Sequence, residues 1–198
     1  MEEVRKRMKN KNTSFEKYGK PIVVLVAICL VISFLLAATY KVAAPIIAER
    51  TKADADAARQ QLLPDADSFT QYDGDLVATD DGKVVVTDVY SADNKCGVVI
   101  TVDTKSFGGT LTEMVGIDAD GAITGIVITS HADTPGVGTR AQSEEHLSQY
   151  VGLTELQDTS CKKDPTVDHV TGASVSSNAI HYGVYMALEQ YKEMGGVQ

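Results

Sequence analysis

Tryptophan is absent from this 198-residue chain, cysteine occurs only three times, and there is no CxxC and no Cys/His cluster at metal-ligand spacing. Structural zinc and iron–sulfur centres are thereby excluded, and three cysteines make no disulfide framework. Cys29 lies in an apolar run, while Cys96 and Cys161 are left open as a bonded pair or two thiols. Repeats and low-complexity tracts are missing as well, and a hydrophobic content of 43% is that of an ordinary folded chain. Positive charge is scarce beyond the first twenty positions. Residues 1–20 hold seven Lys/Arg against Glu2, Glu3 and Glu16, whereas the remainder holds 11 basic and 24 acidic residues. An acidic domain of that kind repels nucleic acid and anionic headgroups, which excludes both as partners.

What is present begins with a basic polar leader over residues 1–20 and an uncharged apolar run from Pro21 to Tyr40. At about 1.5 Å per residue in a helix, the run crosses about 30 Å of hydrocarbon. Ala37-Ala38-Thr39 and Val42-Ala43-Ala44 are small-residue sites of the kind a signal peptidase cuts. The apolar run, however, exceeds the roughly 7–15 residues of a signal core, so an uncleaved transmembrane anchor over 21–40 is expected. The basic flank places the N-terminus in the cytoplasm and everything after Tyr40 outside it, in the cell membrane as a single-pass protein. Residues 41–64 read as a helical stalk, Ala-rich, with Pro45 near its start and Pro64 as its stop.

The region 65–198 reads as one α+β domain. Asp65–Gly82 is turn-rich and acidic, an edge or loop. Val/Ile-rich runs at Lys83–Tyr90, Gly97–Thr104, Leu111–Asp118 and Ala122–Thr129 predict strands, with a hairpin at Asp118–Gly121. Their continuity predicts a twisted, mostly antiparallel sheet covered by helices. One helix is expected over Ser143–Tyr150, and a second, amphipathic, from Val175 to about Met194.

Three loops carry chemistry. Ser106-Phe107-Gly108-Gly109 joins two strands, and its paired glycines permit close backbone approach to a flat ring. His131-Ala132-Asp133-Thr134-Pro135-Gly136-Val137-Gly138 is stiff at Pro135 and permissive at its glycines. His131 has no partners in sequence from which a nucleophile–base set can be assembled, so no catalytic residue is assigned. The third stretch, Asp168 to Ser177, runs through Thr171-Gly172-Ala173-Ser174 into the last helix. Ser174 stands where an N-cap would. Alternatively, its hydroxyl joins the outward N–H groups and side chains of Val175, Ser176 and Ser177 in a phosphate-binding helix start.

Asp168-x-x-Thr171-Gly172-Ala173-Ser174 is similar to the flavinylation motif of the FMN-binding domain family, found in the G subunits of Rnf complexes and the C subunits of sodium-pumping NADH:quinone reductases. The second loop resembles that family's His-x-Glu-Thr-Pro-Gly-Leu-Gly, with Asp133 for Glu and Val137 for Leu. The first resembles its Gly-Tyr-Gly-Gly, with Ser106 for the first Gly and Phe107 for Tyr. The resemblance implies covalent FMN on Ser174 through a phosphoester, attached by a dedicated flavin transferase. It also implies that Phe107–Gly109, His131, Thr134–Gly138 and the surrounding motif residues line the flavin, and it brings no metal. The Rnf G subunit is the nearest pattern. It implies an electron-transfer subunit, incapable of a complete reaction alone, whose partners are the other membrane and peripheral subunits of an Rnf-type complex. That complex couples electron flow between ferredoxin and NAD to Na⁺ or H⁺ translocation. The quinone reductase C subunit and a free-standing extracytoplasmic flavoprotein share the motif; a pilin-like structural protein or an anion-sensing domain are alternatives of another class. The acidic domain is expected to depress the flavin potential, with Asp118 and Asp133 as the carboxylates to test.

Overall fold

The computed structural model describes residues 18–79 and 82–197. Of the basic leader, residues 1–17 lie outside the described residues. The apolar run and the Ala-rich segment form one continuous helix, α1 (Lys20–Leu62), which passes through Pro45 without ending. From Ile22 to Ile47 its large apolar side chains stand about half or more exposed, neighbour after neighbour. A helix apolar all round needs an apolar surrounding, and none of the apolar window of α1 is buried inside the protein. Among the described residues this is the helix long and apolar enough to cross a membrane, which fits a single-pass membrane protein.

The chain divides into two units between Ala53 and Asp54. In the second, α1 ends at Leu62 and five strands follow: β1 (Phe69–Gln71), β2 (Val84–Ala92), β3 (Gly97–Lys105), β4 (Thr110–Asp118) and β5 (Ile123–Ser130). They pair antiparallel in chain order, each with its sequence neighbour. Four of them occupy the Val/Ile-rich runs; β1 sits at the sheet edge, in a segment too polar and short to show a period. The chain then makes a 3-10 turn (Gly138–Gln142), a one-turn helix α2 (Glu144–Leu147) and a second 3-10 turn (Ser148–Tyr150), breaking up the single helix expected over Ser143–Tyr150. The long helix α3 (Ser174–Glu193) closes the unit.

Both faces of the sheet are covered, which is why β3 reads as an unbroken apolar run. Val98, Ile100 and Val102 face the core shared with Ile180, Val184, Ala187 and Leu188 of α3. Val99, one pleat away, joins Ala58, Leu62 and Leu63 at the end of α1 and Met114 of β4. Close approach there depends on Gly116, whose Cβ would lie 2.9 Å from that of Leu62. The Thr124 hydroxyl donates to the Leu62 carbonyl at 2.7 Å and so satisfies an otherwise open helix end. At the same end of the sheet, the Asp118 carboxylate accepts the N–H groups of Asp120 and Ala122 and closes the hairpin.

One core residue breaks the pattern. Glu113 of β4 is fully buried, and neither carboxylate oxygen has a hydrogen-bond partner. It lies against Gly183 of α3, whose added Cβ would sit 1.7 Å from its Oε1. Burial holds its pKa well above the ordinary range, favouring the neutral acid. The unfolded chain ionises this group near its ordinary value, so above that pH the native state holds the extra proton and stability falls as pH rises. Glu113→Met is therefore expected to stabilise the full chain by about 1–3 kcal/mol at pH 8, and by clearly less near pH 4.5. Thermal unfolding in detergent at the two pH values checks both the sign and its pH dependence.

Candidate functional site

The start of α3 is built differently from an ordinary capped helix. Its N-cap is Ala173, with φ −124° and ψ 32°, and no side chain caps it. Ser174 is thus the first helical residue, half-buried, with a hydroxyl that capping does not use. The expectation that Ser174 serves as the cap is replaced by a turn in which Gly172, at φ +84°, reverses the chain and Ala173 is buried. The Ala173 N–H donates to the Val170 carbonyl, and the Ser177 N–H donates to the Ala173 carbonyl at 2.8 Å. The amides of Ser174, Val175 and Ser176 therefore precede the first helical hydrogen bond, and Ser177 does not add a free N–H as the sequence suggested. Its hydroxyl is also turned inward, 3.3 Å from His146 Nε2 and 3.6 Å from Cys161 Sγ.

Asp133 ties the two remaining loops to this turn. Its buried carboxylate accepts the Ser106 hydroxyl at 2.7 and 2.8 Å and the Gly108 N–H at 2.8 Å. Burial alone would raise its pKa, but hydrogen bonds from Ser106, Gly108 and the Ser176 hydroxyl, with the charge of His131 nearby, hold it below the ordinary range. The backbone is pressed together behind it. A Cβ on Gly108 would lie 2.0 Å from the Ala132 carbonyl oxygen, and one on Gly138 would lie 2.8 Å from Asp133 Cγ and 2.9 Å from the Ser176 hydroxyl. Asp133 and Ser106 are two of the departures from the family pattern, and here they touch. The acid is one methylene shorter than Glu, and a hydroxyl stands against it where the pattern has bare glycine.

The clamp opens on a cavity of about 340 Å³ lined by Phe107, Val137, Gly138, Gly172, Ala173, Ser174, Val175 and Ser176. All three sequence stretches thus contribute to one mostly apolar wall. Its rim is unusual for a protein surface: Phe107 is 71% exposed, Val175 53% and Val137 50%. Exposed apolar side chains gathered around a concavity mark a candidate binding surface. The remaining sequence candidates support this wall rather than line it. Thr134 lends its carbonyl to the N–H groups of Val137 and Gly138, and the turn runs through Pro135 and through Gly136 at φ +76°. His131 and Thr171 are exposed, and Gly109 ends the first loop at φ +139°. Asp168 lies apart, in a polar cavity with Arg140, His146, Gln149 and His169, and its N–H donates to Gln149 Oε1 at 2.8 Å.

Beneath α3 runs a buried polar network that the sequence did not signal. The Tyr150 hydroxyl stands 3.3 Å from His181 Nδ1, whose Nε2 donates to the Asp158 carbonyl at 2.8 Å. Asp164, 3.6 Å from that same Nε2, is held by the N–H groups of Gln157, Asp158 and Thr166. Burial, then the nearby His181, depresses the His146 pKa and favours its neutral form. Cys96 and Cys161 are both free thiols, which decides between the two states the sequence allows. Asp118 is remote from the cavity. Tyr191, seventeen residues along α3 from Ser174, donates to the neighbouring Ala119 carbonyl, about 25 Å away at 1.5 Å per residue.

Residues 106–189 match the family model described as FMN-binding domain. The match opens on Ser106 and takes in all three loops. Three relatives align along nearly their whole length. The chain is 27% identical over 175 residues to the G subunit of the proton-translocating ferredoxin:NAD(+) oxidoreductase complex of Clostridium ljungdahlii, covering 85% of this chain and 88% of the relative. It is 31% identical over 184 residues to the G subunit of the ion-translocating oxidoreductase complex of Methanosarcina acetivorans (89% and 96%). It is 29% identical over 187 residues to the G subunit of the Na(+)-translocating ferredoxin:NAD(+) oxidoreductase complex of Acetobacterium woodii (86% and 90%).

The clamp has a direct test. Asp133→Ala strips the acceptor from a buried hydroxyl and a backbone amide, so it is expected to cost about 2–3 kcal/mol at neutral pH and to speed exchange of the Gly108 amide. Because the Asp133 pKa is lowered in the folded state, its stabilisation is present above the unfolded pKa and lost as pH falls through the folded one. The gap between wild type and variant should therefore close in acid, which denaturant titrations at neutral pH and at pH 3 would measure.

Proposed function

The chain belongs to the G-subunit family of ion-translocating oxidoreductase complexes, and from that premise we propose that it is the flavin-bearing electron carrier of an Rnf-type complex. In this reading FMN is bound covalently, through a phosphoester on the Ser174 hydroxyl. The observation that carries it is the convergence of three loops on one apolar cavity at whose edge stands a hydroxyl not engaged in capping. A bound flavin supplies the ability to accept and pass on electrons one or two at a time. What this chain supplies is position. Phe107, Val137 and Val175 offer apolar surface to a ring, while the Gly172–Ala173 turn brings backbone close to the attachment point. The clamped loops keep that surface preformed. A cavity of about 340 Å³ is at the small end for ligand pockets, which run from about 300 to 1,000 Å³. It suits the ring system while the rest of the cofactor lies toward Ser174.

Residues 1–20 are then a cytoplasmic leader, 21–40 the membrane anchor, 41–64 a stalk and 65–198 the extracytoplasmic FMN-binding domain. The relatives are named for both H⁺ and Na⁺, and the step assigned to this chain, electron transfer next to the membrane, is common to both. The other subunits of the complex and a flavin transferase are its partners.

Intact mass and visible spectra test the linkage. Co-expressed with a flavin transferase, the full chain should gain the mass of one FMN less one water and keep its yellow colour on denaturation. Ser174→Ala should lose both. A chain at its bare mass, with the transferase active on another target, would sink the covalent assignment. Orientation is tested separately: protease added to spheroplasts should digest residues 65–198 and spare an epitope on the leader.

A further inference from the structure

Residues 65–198 carry 21 Asp/Glu and only six lysines. Three of those six, Lys83, Lys105 and Lys162, line a single cavity of about 390 Å³, together with Ser174, Val175, Asn178 and Tyr182. They arrive from separate places: Lys83 immediately before β2, Lys105 at the last position of β3, and Lys162 from the loop ahead of the Asp168–Ser174 motif. Three lysines in one hollow give this part of an acidic domain a local positive potential that favours an anion, although Lys83 and Lys105 also border Asp103 in an adjoining cavity. Ser174 borders this basic cavity and also the apolar one lined by Phe107 and Val137. Ser174 therefore stands between a cationic wall and an apolar wall. A flavin nucleotide is divided in the same way, with an anionic phosphate at one end and an apolar ring at the other.

We propose that Lys83, Lys105 and Lys162 receive the phosphate end of the flavin nucleotide at Ser174 and select it over the unphosphorylated flavin. The inference rests on the FMN reading above and extends it to residues outside the three loops. Up to three positive charges face the phosphate, and the open amides of the first turn of α3 add to their field. The ring is directed to the other side of Ser174. All three lysines are exposed, so exchanging them leaves the fold intact.

The test uses the full chain in detergent, made without the transferase and titrated with FMN and with riboflavin. FMN should bind at least tenfold more tightly than riboflavin at low salt, and the advantage should shrink as salt is added. In the Lys83→Gln/Lys105→Gln/Lys162→Gln variant the two affinities should become equal, with unchanged circular dichroism, whereas the triple Lys→Arg variant should keep the preference. Equal affinities in the wild type, no binding of either flavin at millimolar concentration, or a preference that survives in the glutamine variant would each overturn the proposal. The mass of Ser174 after co-expression is read independently. A flavinylated Ser174 with indifferent lysines removes the cationic wall and leaves the carrier reading standing. A bare Ser174 with lysine-dependent FMN preference removes the covalent linkage and leaves the wall.

Discussion

The arrangement of this site depends on the Asp133 carboxylate. It is buried and ionised, and its neighbours are donors from loops that lie far apart in sequence: the Ser106 hydroxyl, the Gly108 amide and the Ser176 hydroxyl. A buried carboxylate left without such donors is costly, so the loops come together or the charge goes unsatisfied. The glycines follow from the same constraint. Gly108 and Gly138 have no room for a Cβ because the backbones are drawn against Ala132 and Asp133 themselves. Phe107 and Val137 are then held outward as the flanking residues of segments fixed from behind. Apolar side chains exposed together around a hollow, rather than scattered singly, mark a candidate binding surface.

The helix that carries Ser174 is held just as firmly. Ile180, Val184 and Leu188 bury it against the sheet, and Ser177 and His181 join its first turns to His146, Tyr150 and the loop around Asp158. The two serines that follow Val175 divide their work: Ser176 faces the cavity and the clamp, Ser177 the core. An electron carrier gains from such rigidity, because a ring that does not reorganise around each electron keeps its distance and environment constant. Glu113, by contrast, sits inside the same core with neither carboxylate oxygen hydrogen-bonded, and burial favours its neutral form.

Much of this was legible in the sequence, and for physical reasons. Strands buried on both faces write themselves as unbroken Val/Ile runs, so four strands and the C-terminal helix fall where periodicity puts them. The three loops could be named because glycine and proline are needed where backbone must turn or approach closely. What the sequence could not convey were contacts between distant positions. The clamp was visible only as two small departures, Asp133 and Ser106, with nothing to say that they touch. Ser177 reads as part of the site because a run of hydroxyls looks alike until the helix is oriented on the sheet. Asp118 reads as a candidate for tuning the cofactor, yet the length of α3 carries it to the opposite end of the domain. The lysines were silent for the same reason: Lys83, Lys105 and Lys162 become neighbours only when β2, β3 and the loop before α3 are brought side by side.

Charge connects the linkage proposed at Ser174 with the composition of the chain. A domain with an excess of acidic residues is a poor host for an anionic cofactor, since every carboxylate within about a Debye length, roughly 8–10 Å, works against binding. Reversible binding would need enough local positive charge to reverse that field. A phosphoester removes one of the phosphate's charges and makes retention independent of affinity. A small cationic hollow beside the acceptor then needs only to admit the phosphate while the transferase moves it from an activated anhydride donor to the Ser174 oxygen, the donor's other phosphate leaving and the hydroxyl proton passing to solvent. With the bond in place, the surrounding acidity no longer threatens retention. It still disfavours adding negative charge to the ring, so the composition that would expel a free flavin tends to lower the potential of a tethered one.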